Sequence, residues 1–281
     1  MIIGNLFGGL GNQLFQLAAA QYYSKRFNQS LKFINFFNNF YSEDHTKFNL
    51  NNYYDLNITF IDQLYLKKEI GVFQSNFYIS KLAYKFSLNL INTITDKKNT
   101  KLLSGRSYLL NGYFQNKIFF EELDLKIKEK FQNPIGKNEL NNYSIYHKLK
   151  DKNSISIHIR GQDFLKYNDR IICDVNYYQK SINIIKKNVQ NPFFYIFTDD
   201  EIYAKKLLSN LKINSLIVKN TFNSSINLHL MSICNHKIIS NSTFAWWAAI
   251  LSKSQNGIII SPSIWLRKSN LNLSLKEWIK I

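Results

Sequence analysis

The segment His158-Ile159-Arg160 sets an imidazole and a guanidinium two positions apart, on the same face of an extended strand. Arg160 offers a rigid fork of N–H donors, a geometry that matches phosphate. Asp163 follows three residues later, in the loop beyond the strand. There it can accept a proton from a sugar hydroxyl, or orient Arg160 and His158. The same residues also read as an ordinary ion pair between Arg160 and Asp163 beside a half-buried His158. A second acidic group, Asp199-Asp200, ends the apolar run Phe193-Phe194-Tyr195-Ile196-Phe197. One of these carboxylates can accept hydrogen bonds from a purine or a ribose, or place negative charge at the start of the next helix. A divalent-ion site is the weaker reading, because no further acid or histidine is grouped with the pair at ligand spacing.

Ser240-Asn241-Ser242-Thr243 places three hydroxyls and an amide before an apolar stretch beginning at Phe244. Such groups at a helix start suit diphosphate oxygens and suit plain capping equally well. Trp246 and Trp247 are adjacent and cannot share one helix face. Either one lines a cleft while the other packs inside, or both are packed away. Gly8, Gly9 and Gly11 permit tight bends that bring backbone N–H groups near a ligand, or simply make a turn. The spacing is neither that of a dinucleotide fingerprint nor that of a P-loop. Asn12 and Gln13 add amides suited to sugar hydroxyls and to caps. His229, inside a predicted helix, and His236, just before a strand, read as structural. Cys173 and Cys234 lie far apart without a paired motif, which argues against a metal or redox pair.

These groups need a scaffold that gathers strand ends. The first residues read as strand, glycine turn and helix to about Arg26, with a strand at Leu31 to Ile34. Leu64 to Ile70 and Leu82 to Leu90 read as short helices or strands, and Asp96 to Thr100 as a loop. Tyr108 to Gln115 reads as a strand ending in a turn, and Ile118 to Phe131 as a helix. Pro134 and Gly136 mark a break, placing a boundary within 135–150 and domains at 1–145 and 146–281. Beyond it, Ser154 to Arg160 alternates polar and apolar residues as a strand does. Helices are expected at Asn176 to Lys187, Ile202 to Leu208, Ile226 to Ile233 and Phe244 to Leu251. Strands are expected at Phe193 to Phe197, Leu216 to Val218, His236 to Ser240 and Gly257 to Ile260. The alternation predicts an α/β fold with parallel sheets, whose ligands sit beyond the carboxyl ends of the strands.

The chain has 281 residues, 45% hydrophobic and 20% charged, too apolar for a disordered basic tail. Two cysteines exclude a disulfide-dense secreted scaffold. Thirty-six Lys and Arg against nineteen Asp and Glu leave a formal charge of +17. That favours an anionic partner: nucleic acid, membrane surface or phosphorylated substrate. A solvated lysine surface is the plain alternative. The start lacks a basic leader and apolar core, and no apolar run approaches the roughly 18 residues of a span. A cytoplasmic protein is expected, one whose lysines can rest on an anionic membrane. An RNA-binding protein would use the lysine-interleaved aromatics to stack bases. It would leave the glycine and Ser/Asn blocks unexplained.

Five segments, in this order, resemble the bacterial α-1,2-fucosyltransferase family: Gly8 to Gln16, His158 to Phe164, Phe197 to Asp200, Ser240 to Trp247 and Ile260 to Trp265. The resemblance implies a GT-B-like glycosyltransferase with two Rossmann-like domains facing a central cleft. The N-terminal domain would shape the acceptor side and the C-terminal domain would bind the GDP-sugar. It implies inverting transfer of L-fucose from GDP-fucose to O2 of a β-galactoside in surface polysaccharide synthesis, O-antigen or capsule. No metal or other cofactor, and no nucleic-acid partner, is implied. The acceptor would ride on a lipid diphosphate carrier, with the enzyme peripheral on the cytoplasmic face of the inner membrane. By position, Arg160 would bind the β-phosphate and stabilise departing GDP, supported by His158, with Asp163 as the base. Asn241, Ser242 and Thr243 would hold the diphosphate. Asp199 or Asp200 would lie near the guanine or ribose. Gly9, Gly11 and Asn12 would shape the cleft floor. The chain departs from the family at Gly161, where the pattern has a second arginine, and at Gln162, where it has glycine. Gln162 replaces hydrogen bonds but not charge, so the departure bears on donor identity. A glycosyltransferase of the same fold with another donor or acceptor is the near alternative.

Overall fold

Ile2-Ile3-Gly4-Asn5 is apolar enough to be buried on both sides, and it forms the fully buried strand β1 (Ile2–Asn5). The computed structural model of the chain describes residues 1–35, 50–71, 76, 79, 93–96, 106–161, 173–219, 222–254, 256–266 and 271–281. It divides into two units, Met1–Lys130 and Phe131–Ile281. The expected element at Leu82 to Leu90, most of the expected loop after Asp96, and both Gln162 and Asp163 lie outside the described residues.

In the first unit β1 leads through the glycine turn into α1 (Leu10–Arg26), then β2 (Leu31–Ile34) and α2 (Gln63–Ile70). Strands β3 (Thr93–Ile94) and β4 (Tyr108–Leu110) complete a parallel sheet of order β2-β1-β4-β3. The segment read as one helix from Ile118 is two, α3 (Lys117–Glu121) and α4 (Leu125–Gln132). The break has a local cause: the Asp124 carboxylate accepts the Lys126 N–H at 2.8 Å and starts a new helix. The division between the units falls within α4.

The second unit contains α5 (Ser144–Leu149), β5 (Ser154–Ile159), α6 (Val175–Asn188), β6 (Phe193–Thr198), α7 (Glu201–Leu208) and β7 (Ser215–Ile217). The chain then returns through α8 (Ser224–Ile233), β8 (His236–Ile238), α9 (Thr243–Ile250), β9 (Ile259–Ser261) and β10 (Ile279–Lys280). All pairings are parallel and the order is β10-β9-β8-β5-β6-β7. The chain lays strands outward from β5 to β7, then restarts at β8 on the other flank of β5. That reversal is the switch point of a Rossmann-type sheet, where the strand ends diverge and leave a crevice. The Ser/Ile alternation of β5 suggests one polar face, yet all six residues are buried. A central strand of a parallel sheet is covered on both faces, so its serines face protein rather than water.

Asp174, Asp200 and Asn223 cap α6, α7 and α8 through the N–H groups of Tyr177, Tyr203 and Ile226. Helix α9 is apolar around most of its circumference and is buried accordingly. Trp246 and Trp247 are both completely buried, packed edge to face at 5.3 Å. Trp246 donates its indole N–H to the Leu273 carbonyl at 2.7 Å, and Trp247 packs against Phe131 at 5.6 Å. Of the two readings of this pair, both indoles are packed away. Trp247→Ala is expected to cost about 3–5 kcal/mol of stability. The shift of the urea midpoint checks it, with Trp247→Phe losing clearly less.

Candidate active site

Three strand ends build the site in the second unit. β5 delivers His158 and Arg160, β6 delivers Asp199, and the turn after β8 delivers Ser240 to Thr243. The His158 ring Nδ1 lies 2.7 Å from the Ser240 hydroxyl, bridging the switch point between β5 and β8. The ring packs on Phe244 at 5.9 Å. Tyr178 donates its hydroxyl to the His158 carbonyl at 2.8 Å, and Tyr177 donates to the Ile239 carbonyl at 2.5 Å. Helix α6 therefore pins the ends of both strands. Burial first, and the neighbouring Arg160 second, lower the His158 pKa from 6.5 to about 3. The imidazole is neutral at working pH. It serves better as a hydrogen-bonding strut for Ser240 than as a proton carrier.

Arg160 pairs with Asp199 at 2.6 Å, Nη1 to Oδ2. The other oxygen of Asp199 accepts the Gly161 backbone N–H at 2.7 Å. One carboxylate thus holds both the guanidinium and the chain beside it. Both side chains remain partly open, 25% for Arg160 and 18% for Asp199. The second carboxylate is used differently: Asp200 accepts the Tyr203 N–H at 2.9 Å as the cap of α7. Gly161 is required where it stands. A Cβ there would lie 2.5 Å from the Asp200 Cβ and 3.2 Å from its Oδ2. The arginine expected at this position therefore has no room while Asp200 caps its helix.

Across the crevice, Asn241 is buried, donating to the Trp265 carbonyl at 3.1 Å and accepting the Cys173 thiol at 3.8 Å. It shapes the turn. Ser242 occupies the N-cap of α9 without a side-chain cap bond, and both Ser242 and Thr243 are partly exposed. Their hydroxyls and the first N–H groups of α9 form a donor-rich helix start. Cys173 is fully packed, its thiol pKa pushed up to about 12 by burial. Among the described residues no three His, Cys, Asp or Glu side chains are grouped to hold a metal ion.

In the first unit, amides secure the glycine turn. Gln13 donates to the Gly8 carbonyl at 2.9 Å, Gln16 accepts the Phe7 N–H at 2.9 Å, and Gln16 donates to the Gly112 carbonyl at 3.2 Å. Gln13 and Gln16 are buried, so they are struts. Asn12 accepts from Gln115 at 3.0 Å. Gly8 takes φ +76, which favours glycine. Gly9 is the position with open space, since a Cβ there would meet nothing within 4 Å. Gly11 is buried in the first turn of α1.

With this geometry in place, the comparisons with known proteins decide the family. The family model of glycosyl transferase family 11 matches residues 3–281. The chain belongs to glycosyl transferase family 11. An alpha-1,2-colitosyltransferase of Escherichia coli is 30% identical over 100% of this chain and 99% of its own length. The O-antigen biosynthesis glycosyltransferase WbnK of Escherichia coli is 29% identical over 98% and 99%. Among solved structures, the fucosyltransferase NodZ from Bradyrhizobium superposes with a TM-score of 0.51 at 13% identity, covering 89% of this chain and 93% of that one. The two parallel α/β units are thus those of a GT-B-like glycosyltransferase.

For this family 11 enzyme the structure gathers His158, Arg160, Asp199 and Ser242-Thr243 at one set of strand ends. It turns Asn241 and Asp200 to holding the loop and capping α7. Sequence reading overlooked the grip of Asp199 on Gly161 and the struts Tyr177 and Tyr178. Only the acidic pair at a strand end signalled the first. Gly161→Ala is expected to cost about 1–3 kcal/mol by overpacking against Asp200. Gly161→Arg, which supplies the residue that the resemblance implies, is expected to lower kcat/KM rather than raise it; denaturation and steady-state assays check both.

A pH expectation follows from His158. Its folded pKa of about 3 lies below the ordinary 6.5, so the unfolded chain binds the extra proton between those values. Stability is complete above 6.5 and is lost as pH falls from there toward 3, by up to about 1.4 kcal/mol per pH unit for one group. His229, lowered to about 4, and His236, also lowered, act in the same direction. The melting temperature should fall from pH 7 to pH 5. The kcat/KM profile should show no His158 titration in that range.

Proposed function

We propose that this family 11 glycosyltransferase moves L-fucose from GDP-fucose to O2 of a β-galactoside, with inversion, during surface polysaccharide synthesis. The observation that carries the reading is Arg160, held by Asp199 at the switch point and set across the strand ends from the start of α9. A cation and a helix N-terminus converging on one crevice suit a nucleoside diphosphate as leaving group. The likeness to an O-antigen biosynthesis enzyme over the whole chain supports the polysaccharide setting. In this reading the acceptor rides on a lipid diphosphate at the cytoplasmic face of the membrane, as the resemblance of the sequence blocks implies; no described helix is long and apolar enough to cross one.

In the proposed mechanism the acceptor hydroxyl attacks the anomeric carbon on the face opposite the nucleotide. The new C–O bond forms as the bond to the diphosphate breaks, through an oxocarbenium-like transition state. The electron pair of the breaking bond goes to the β-phosphate oxygen. Arg160 stabilises that charge, with the Ser242 and Thr243 hydroxyls and the first N–H groups of α9 on the other side. The acceptor proton passes to Asp163. Asp199 keeps Arg160 extended toward the crevice rather than touching nucleotide itself. Gly9, with its open surroundings, together with Gly11 and Asn12, leaves room at its strand end for ligand. This scheme calls on no divalent ion.

A second donor has a specific argument. Gly161 stands where the resemblance implies an arginine, and the relative at 30% identity is named a colitosyltransferase. GDP-colitose is therefore the donor to set beside GDP-fucose. A screen of nucleotide sugars against β-galactosides, with and without chelator, decides the donor. Turnover with GDP-fucose that survives chelation is expected. Turnover only with another donor overturns the first choice, and loss on chelation overturns metal independence. Arg160→Ala should lower kcat by about 10²–10³; unchanged turnover would sink the reading. Asp163→Asn with near-normal turnover would remove Asp163 as base.

A further inference from the structure

The sheet of the first unit has a switch point of its own. From β1 the chain moves outward to β2, then crosses to β3 and β4 on the other flank of β1. Ligands of parallel sheets sit where the strand order reverses, beyond the carboxyl ends. Here those ends are Leu6 to Gly9 after β1, Thr95-Asp96 after β3 and Asn111 to Asn116 after β4. Asn5 donates its side-chain amide to the side-chain oxygen of Asn111 at 3.2 Å, directly across the reversal. The turn after β4 is fixed by one carboxylate. Asp96 Oδ2 accepts the N–H groups of Tyr113 at 2.9 Å and of Phe114 at 3.0 Å. Gly112 has no room for a side chain, since a Cβ there would lie 2.7 Å from Asp96 Oδ1. Phe114 is held at φ 51, a left-handed conformation costly for a bulky residue, with its ring buried against Tyr23 and Phe119.

The residues on either side of Phe114 are thereby presented at the glycine turn. Tyr113 and Gln115 both stay half-buried. The Tyr113 ring lies 5.1 Å from that of Phe7, and Gln115 donates to Asn12 at 3.0 Å. A Cβ on Gly8 would meet Asn12 Nδ2 at 3.1 Å and the Tyr113 ring at 3.8 Å, so an amide and a ring flank the turn, and Gly9 beside them is open. Beneath the turn Gln13 is fully buried. Its amide nitrogen meets the Gly8 carbonyl at 2.9 Å, while its oxygen accepts no hydrogen bond among the described residues. A buried acceptor left idle points to a donor brought by a ligand. Charge narrows that ligand. Residues 2–16 and 107–116 contain no Lys, Arg, Asp or Glu, in a chain with 36 Lys and Arg. Asp96 is engaged with backbone. Amides that both donate and accept, beside an aromatic ring, match a neutral, hydroxyl-rich sugar rather than a phosphate.

We propose that Tyr113, Gln115 and Asn12 bind the acceptor pyranose at the β1/β4 switch point, with the Gln13 oxygen taking one of its hydroxyls, and that Asp96 is the positioning residue that presents them. This rests on the transferase reading above and adds to it the side chains that choose the acceptor. It does not depend on the donor's identity.

The test is saturation-transfer NMR of a panel of methyl pyranosides, methyl β-galactoside among them, on the full chain and on its Tyr113→Ala, Gln115→Ala, Asp96→Ala and Asp96→Asn variants. Calorimetric titration of GDP into the same proteins follows the donor side separately. A pyranoside signal is expected from the unmodified chain. Tyr113→Ala and Gln115→Ala should each weaken the sugar by at least about fivefold and leave GDP affinity within about twofold. In turnover the acceptor KM should rise by the same factor while the donor KM holds. Asp96→Ala should act likewise, and Asp96→Asn, whose amide oxygen can still accept both N–H groups, should restore most of the affinity. Asp96→Ala weakening GDP as much as sugar would make Asp96 merely structural and overturn its role. Should that variant not fold, Tyr113→Ala and Gln115→Ala, which leave the Asp96 bonds in place, still decide the site. No pyranoside signal from the unmodified chain, or unchanged sugar affinity in both of these variants, overturns the proposal. A signal that the variants lose, without turnover of GDP-fucose, keeps the subsite and overturns the donor reading instead. A signal only from pyranosides other than the β-galactoside, lost in the variants, keeps the subsite and overturns the β-galactoside acceptor.

Discussion

Strand β5 is buried along its whole length, so every polar group at its carboxyl end must find a partner on a neighbouring strand or helix. This requirement organises the site. His158 turns to Ser240 after β8, Arg160 and the Gly161 N–H turn to Asp199 after β6, and the His158 carbonyl takes the Tyr178 hydroxyl. Three strands are thereby joined at their ends by side chains as well as by the sheet ladder, which between β5 and β6 runs to Ile159 and Thr198. The cost of an unpaired buried polar group, about 1–3 kcal/mol each, is large enough to make these bonds a condition of the fold. Arg160 is held in place before any ligand arrives, which is what electrostatic stabilisation of a leaving group needs.

Charge acts at two scales. The +17 total suggested an anionic partner without naming one. Family membership turns that toward a glycosyltransferase rather than a nucleic-acid binder. In the second unit the positive charge is unevenly used. Arg160 is paired with Asp199 at 2.6 Å, and both side chains stay partly open. Lys237 is fully buried, whereas exposed lysines such as Lys150 and Lys253 are screened by water and salt.

Much of the second unit was legible because its strands are short apolar runs between polar turns, the strongest local signal of a parallel sheet. The helices from α6 to α9 fall within two residues of their expected positions at each end. The first unit was harder to read, since aromatic, asparagine and lysine residues recur there without a clear period. The helix break at Asp124 escaped because a capping aspartate leaves the periodicity on either side intact. Within the site, residue types were legible but partners were not. Asn241 has the chemistry to bind a diphosphate, and it is spent on Trp265 and Cys173. Asp199 and Asp200 looked interchangeable, yet one holds Arg160 and the other caps a helix. Adjacent residues point in different directions at a strand end, and sequence does not reveal what each direction meets.

The sequence by itself determined the α/β class, the order of the chemical blocks and the likeness that they carry together. These follow from local periodicity and residue type, which act over a few positions. Only the tertiary structure decided that His158 is a neutral strut, that both tryptophans are packed away and that Gly161 leaves no room for arginine. Each of these depends on burial and on neighbours from distant parts of the chain. Burial, and the neighbours it brings from distant parts of the chain, sets proton affinity, free space and local charge, and a parallel sheet assembles those neighbours from strands far apart in sequence.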